Sequence, residues 1–196
     1  GFDIQREKVD KINRGENYIG DVVPEDLATL TKNGHLSATD DFSRIGECDV
    51  VAICVPTPLD KFKQPDLSYV VNTADTIASF MHKDMLVVLE STTYPGTTEE
   101  VLLPMLSKGG LKVGRDFYLA YSPERVDPGN LLYKTKNTPK VVGGCTPECL
   151  RHAKALYEAV LQAPVFAVSS PKEAEMAKIL ENTFRIVNCA LANEMA

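Results

Sequence analysis

Val50-Val51-Ala52-Ile53-Cys54-Val55-Pro56-Thr57-Pro58 is the stretch that decides the fold. Its apolar run is unbroken, mostly β-branched and too short for a helix, which predicts a strand covered on both faces of a parallel sheet. The prolines that follow cannot donate to a ladder and take the chain out of the sheet. They leave the Thr57 hydroxyl at the strand's carboxyl end, where open α/β sheets receive ligands. A rigid turn and a ligand contact are both open readings of Thr57.

The pattern repeats downstream. Met85–Leu89 reads as a second buried strand, ending in Glu90-Ser91-Thr92-Thr93-Tyr94-Pro95-Gly96. A helix is expected over 97–106, with Glu99 and Glu100 in its first turn, where the helix dipole favours acids. Phe117–Tyr121 is a third strand, ending in Ser122-Pro123-Glu124-Arg125-Val126-Asp127-Pro128-Gly129. There Glu124 and Arg125 lie side by side between prolines that stiffen the loop. Val141–Gly144 predicts a fourth strand, 147–162 a helix, and 164–168 a fifth strand. Upstream, Gly1–Asp3 reads as a strand tail, 5–13 and 23–33 as helices, 36–39 as extended and 42–46 as a short helix. Asp66 is placed to cap a helix that runs to Met81. Strands alternating with helices define α/β architecture: a Rossmann-like doubly wound parallel sheet, incomplete at its N-terminus.

Pro171–Ala196 predicts one long helix. Ser169 or Ser170 can cap it, Pro171 suits its first position, and Glu173 can reach back to the cap. At ~100° per residue, Ala177, Leu180, Phe184, Val187 and Leu191 form an apolar stripe. Lys178, Asn182, Arg185 and Cys189 fall on the opposite side. On spacing alone that second stripe is either a solvated face or a substrate-facing one. If the strands are parallel, the loops at Thr57, Thr92 and Glu124 share the sheet's ligand edge. A helix along that edge would add Lys178 and Asn182 to the same pocket.

A net charge of -6 gives no basic field for nucleic acid or an anionic membrane. The longest apolar run is too short to span a bilayer, and no signal-peptide pattern is found within these 196 residues. Five cysteines without a paired framework read as reduced thiols, which implies a cytoplasmic protein. Cys145 and Cys149 lack a second ligand pair, so no metal is expected. Asp3, at a strand end, can accept hydrogen bonds from a ribose and would repel a 2'-phosphate, favouring NAD over NADP. No G-x-G-x-x-G occurs, so the first strand and phosphate-binding turn are expected upstream of Gly1.

With these residues in view, the chain resembles the UDP-glucose/GDP-mannose dehydrogenase family over essentially its whole length. Similarity is strongest to the branch that oxidises UDP-N-acetylhexosamines to uronic acids. The segments that carry it are Gly1-Phe2-Asp3-Ile4, Asn13–Glu16, Cys54–Pro58, Gln64–Ser68, Leu89–Thr98, Ser122–Gly129 and Glu175–Arg185. The last three are specific. Residues 1–168 would be the NAD-binding domain and 169–196 the start of a central helix.

The resemblance implies a two-step, NAD-dependent oxidation of the sugar C6 alcohol through a cysteine thioester. Asp3 would bind the adenosine ribose with Lys8 nearby, and Thr57 and Thr92 would contact NAD. Thr92 would also help position water, and Glu124 would assist thioester hydrolysis. Arg125, Val126 and Arg185 would contact the UDP-sugar, while Lys178 and Asn182 would stabilise charge on the reacting oxygen. The family also implies a homodimer through the central helix.

Physical chemistry fits those roles. An ammonium and an amide one helical turn apart, ~6 Å along the axis, can both donate to a developing oxyanion. Desolvation would let Lys178 exchange a proton. Glu124 needs a raised pKa to act as a base, which burial between prolines would supply. Arg185 suits phosphate through bidentate donation. The family's nucleophilic cysteine is expected beyond Ala196, so these 196 residues alone should not turn over substrate. Cys189 lies on the Lys178 face but is read as a packing cysteine. The rivals are a β-hydroxyacid or 6-phosphogluconate type dehydrogenase, which also pairs a helical lysine with an asparagine one turn later, and a non-catalytic module for nucleotide-sugar binding or assembly.

Overall fold

The computed structural model describes residues 1–20, 22–125, 130, 132 and 134–196. The chain divides into a smaller unit built on Gly1–Arg44 and a larger one built on Ile45–Val126 and Tyr133–Ala196.

In the smaller unit, Phe2 pairs in parallel with Thr39, so the opening residues are extended as expected. The Thr39 N–H donates to Gly1 O at 2.9 Å, and Asp3 N–H donates to Thr39 O at 3.2 Å. Two helices follow the strand tail, α1 (Arg6–Asn13) and α2 (Pro24–Lys32). Val9 and Leu27 are their buried residues. The Asn13 amide ties the end of α1 to the extended piece, donating to Ala38 O and accepting from Ala38 N–H. Gly15 has φ +70, and a Cβ there would lie 3.1 Å from Ala28 Cα, so glycine serves both the turn and the approach to α2.

The larger unit is a five-stranded sheet in the order β1-β2-β3-β4-β5. Its strands are β1 (Val50–Ile53), β2 (Leu86–Leu89), β3 (Tyr118–Tyr121), β4 (Lys140–Gly144) and β5 (Val165–Val168). The first three are mutually parallel, as the pattern predicts. β4 runs antiparallel to β3, and β5 is parallel to β4. The reversal has a local cause. A parallel pair needs a crossover, and the described residues of 122–139 form no helix to make one. The helices are α3 (Ser68–Phe80), α4 (Leu103–Leu106), α5 (Pro147–Val160) and α6 (Pro171–Met195). Thr97–Leu102, ahead of α4, is a π-helical turn inside the span predicted as α-helix. Asp66 accepts the Ser68 N–H at 2.8 Å but stands one residue outside the cap position, which Leu67 fills.

β2 is buried along its whole length, the sequence expectation for a strand covered on both faces. β1 departs from it: Val50 and Ala52 are exposed because this strand lies at the sheet's edge. On one face, α5 packs Ala153 and Tyr157 against Leu86, Val88, Ala120 and Val142. α6 contacts β3, β4 and β5. Its approach depends on glycine, since a Cβ on Gly143 would fall 2.2 Å from Ser170 O. Gly143→Ala should therefore destabilise by about 1–3 kcal/mol or more, read as a lower denaturation midpoint at unchanged m.

Ser170 caps α6, accepting from Glu173 N–H at 3.3 Å, and Glu173 reaches back to the Ser169 N–H and hydroxyl. Burial on α6 ends early. Pro171, Ala174 and Glu175 are enclosed, whereas Leu180, Phe184, Val187 and Leu191 of the predicted apolar stripe are exposed.

Candidate active site

The ends of β1 and β2 are laced together. Glu90 N–H and Ser91 N–H both donate to Ile53 O, and the Ser91 hydroxyl donates to Val55 O at 2.7 Å. The Thr57 hydroxyl donates to Thr92 O at 2.7 Å, so these two predicted residues do meet. The bond consumes the Thr57 proton and the Thr92 carbonyl. The half-buried Thr92 hydroxyl makes no hydrogen bond among the described residues.

At the end of β3, Glu124 accepts from Arg125 N–H at 2.7 Å, and its other oxygen lies 3.9 Å from Lys140 Nζ. The burial expected for Glu124 is not what the fold provides. Its side chain is 48% exposed, while the neighbouring Pro123 is buried. Arg125 donates through Nε to Glu181 on α6 at 3.1 Å. Arg185 donates to the other oxygen of Glu181 at 3.3 Å. Both arginines predicted to contact substrate are thus held by one carboxylate. Val126 lies outside the described residues.

Lys178 is half-buried on α6, and burial lowers its pKa; Glu181 opposes that shift and Arg185 adds to it. Glu124 and Arg125 also act on this amine, so its field joins α6 to the β3 loop. Asn182, one turn on, is half-buried as well. α6 reaches the Thr92 loop by a different route. The buried Glu175 accepts from Gly96 N–H at 2.5 Å and from Thr98 N–H and Oγ1 at 2.9 and 2.7 Å. Burial raises the Glu175 pKa while these bonds lower it.

Behind the β3 loop, Lys140 Nζ lies 3.2 Å from Glu90 Oε2 and 4.7 Å from the Tyr157 ring centroid. The Tyr157 hydroxyl donates to the other Glu90 oxygen.

Glu175, Glu181 and the Glu90–Lys140–Tyr157 triad were not picked out from sequence. The two glutamates had a signal: they stand three residues before and three after Lys178, on neighbouring turns of its face. All five cysteines are free. Cys189 is exposed rather than packed, because no other element covers α6 there among the described residues. The described residues contain no cluster suited to a metal ion and no helix long and apolar enough to cross a membrane.

In the smaller unit, Asp3 Oδ1 accepts from Gln5 N–H at 2.8 Å, and Oδ2 lies 3.9 Å from Lys8 Nζ. Both side chains line a cavity of about 200 Å³ with Phe2, Tyr18, Leu36 and Ala38. A carboxylate oxygen beside an apolar recess suits a ribose with its attached base, so these residues fit NAD.

An open α/β sheet with hydroxyls and charges at its strand ends, and a carboxylate following a strand beside an apolar recess, is the arrangement of a dinucleotide-binding fold. Residues 1–161 match the model of the UDP-glucose/GDP-mannose dehydrogenase family, NAD binding domain. The chain belongs to that family and carries its NAD-binding domain.

The chain is 39% identical to UDP-N-acetyl-D-glucosamine 6-dehydrogenase of Pseudomonas aeruginosa, over 100% of this chain and 46% of the relative. Among solved structures, UDP-D-ManNAc dehydrogenase from Pyrococcus horikoshii superposes with a TM-score of 0.93 at 38% identity, covering 99% of this chain and 46% of that one. The UDP-N-acetyl-mannosamine dehydrogenase of Staphylococcus aureus gives 0.88 at 32% identity, covering 100% and 47%. The chain spans about half the length of the curated relatives it matches.

Proposed function

We propose that the gene product carrying this chain oxidises the C6 alcohol of a UDP-N-acetylhexosamine to the carboxylate, consuming two NAD. The observation that carries this reading is Lys178: a half-buried amine with a lowered pKa, one turn from Asn182, in the field of Glu124 and Arg125. NAD, when bound, accepts the hydride that leaves the sugar carbon.

Lys178 and Asn182 donate to the oxygen that gains charge, and the lysine can exchange its proton there. Thr92 offers a hydroxyl to the cofactor and to an attacking water, held in place by the Thr57 bond to its carbonyl. Glu124 is exposed enough to reach water and acts as its base, with Lys140 nearby. Arg125 and Arg185 exchange Glu181 for the diphosphate of the substrate, and Val126 adds a contact beside them. Asp3, with Lys8, receives the adenosine ribose. The exposed stripe on α6 supports a homodimer through this helix, and free cysteines support a cytoplasmic location.

The test is a substrate panel on that gene product: UDP-GlcNAc, UDP-ManNAc, UDP-glucose and 6-phosphogluconate, each with NAD. Turnover of an N-acetylhexosamine above the others is the expected result; turnover of 6-phosphogluconate alone would replace this reading with its rival. The 196 residues alone should give no sustained NADH. Asp3→Asn should raise KM for NAD about tenfold or more, the loss of one charge-assisted hydrogen bond, and leave KM for the sugar nucleotide unchanged.

A further inference from the structure

We infer that Glu175 is a positioning residue, one that sets the register of the Lys178 helix against the Thr92 loop. This rests on the function proposed above. Glu175 is fully buried, and its carboxylate accepts three hydrogen bonds from one short segment, Gly96 to Thr98. That segment leaves the loop holding Thr92 and opens the next helix. Gly96 sits at φ +104, a backbone state that turns its N–H toward the carboxylate and that other residues adopt only with strain.

Among the described residues, the enclosed side chains of α6 are Pro171, Ala174 and Glu175, all within its first turns, and Glu175 is the one among them whose carboxylate makes directed bonds. Apolar contact resists separation but leaves a helix free to rotate or slide by fractions of an ångström. Directed bonds to a buried carboxylate do not. Lys178 follows Glu175 by less than one turn, so a rotation of α6 about its axis moves the amine directly. Glu181, three residues beyond Lys178, ties the same helix to Arg125 on the β3 loop. The lysine therefore stands between two carboxylate moorings, one to each strand-end loop. Only the first is enclosed, and it is the one that fixes the chemistry.

The test uses Glu175→Gln and Thr98→Val in the whole gene product. Glutamine keeps the volume, but the Gly96 and Thr98 N–H groups reach different carboxylate oxygens, so one of the two would face the amide NH2, itself a donor. Glu175→Gln should lower kcat about 100-fold, the cost of an ångström-scale misplacement, with KM for NAD and for UDP-sugar within about threefold of wild type. Circular dichroism should stay native. Thr98→Val removes only the hydroxyl bond and should lower kcat about tenfold. A folded Glu175→Gln protein with kcat within about twofold of wild type, or with raised KM values at unchanged kcat, would overturn the inference. A merely structural residue would move the unfolding midpoint without this split.

If Glu175→Gln does not fold, Thr98→Val is judged by the same criteria. If the wild type oxidises no UDP-sugar, the functional reading fails by itself. Amide exchange then decides: Gly96 and Thr98 should exchange at least about tenfold faster in Glu175→Gln, and unchanged exchange would refute the mooring.

Discussion

Lys178→Met in the intact gene product should lower kcat about 10³-fold, a loss within the range of either one oxyanion donor or one proton-transfer group, with KM for NAD unchanged. Methionine keeps the stem that packs on the half-buried face, so the loss belongs to the charge. The pH dependence carries a sign. Burial disfavours the ammonium, so the folded pKa lies below the unfolded value of 10.5, despite Glu181 and Glu124 pulling it up. Between those two values the unfolded chain holds the extra proton, and stability rises with pH. Below the folded pKa, the cost of the charged lysine is fully present. The Lys178→Met variant should lose that rise, and also the rate limb that an amine of lowered pKa places below the ordinary lysine range. Steady-state kinetics across pH, with denaturant melts at each pH, checks both.

Lys140→Met should destabilise the fold by about 3–5 kcal/mol, the cost of stranding one partner of a buried ion pair. Lys140 and Glu90 have side chains only 10% and 15% exposed, and are 3.2 Å apart. Tyr157 completes the group: burial first, then Glu90, push its hydroxyl up, so it stays a donor to that carboxylate. Removing the ammonium leaves a carboxylate with the tyrosine donor but no cation. The double variant Lys140→Met, Glu90→Gln should recover most of the loss, since an amide needs no counter-charge and still accepts from Tyr157. A loss under about 1 kcal/mol for the single variant would mean that water already compensates this pair. Chemical denaturation with unchanged m separates these outcomes.

Much of the fold was legible because its signals are local. The runs at Val50, Met85, Phe117, Val141 and Pro164 each became a strand, bounded within a residue or two of the punctuation that Pro, Gly and Ser provide. The direction of β4 was not legible from its own residues, since Val-Val-Gly-Gly reads the same either way. The clue lay in the absence of a helical pattern between Tyr121 and Lys140. The edge position of β1 was hidden for a similar reason: a strand's composition does not say how many neighbours it has.

At the site, hydroxyls at strand ends and the Lys178–Asn182 spacing could be read, and Thr57 and Thr92 do meet. What distance in sequence concealed was pairing. Nothing near Glu175 names Gly96, and nothing near Lys140 names Glu90. The burial of Glu124 was inferred from flanking prolines, which fix the backbone but do not say where a side chain points.

The most direct test is a crystal structure of the gene product with NAD and a UDP-N-acetylhexosamine bound. The sugar's C6 oxygen should lie within hydrogen-bonding distance of Lys178 Nζ and the Asn182 amide, with Thr92 beside the nicotinamide and Glu124 open to water. A sugar seated away from α6, with Lys178 turned to solvent, would contradict the account.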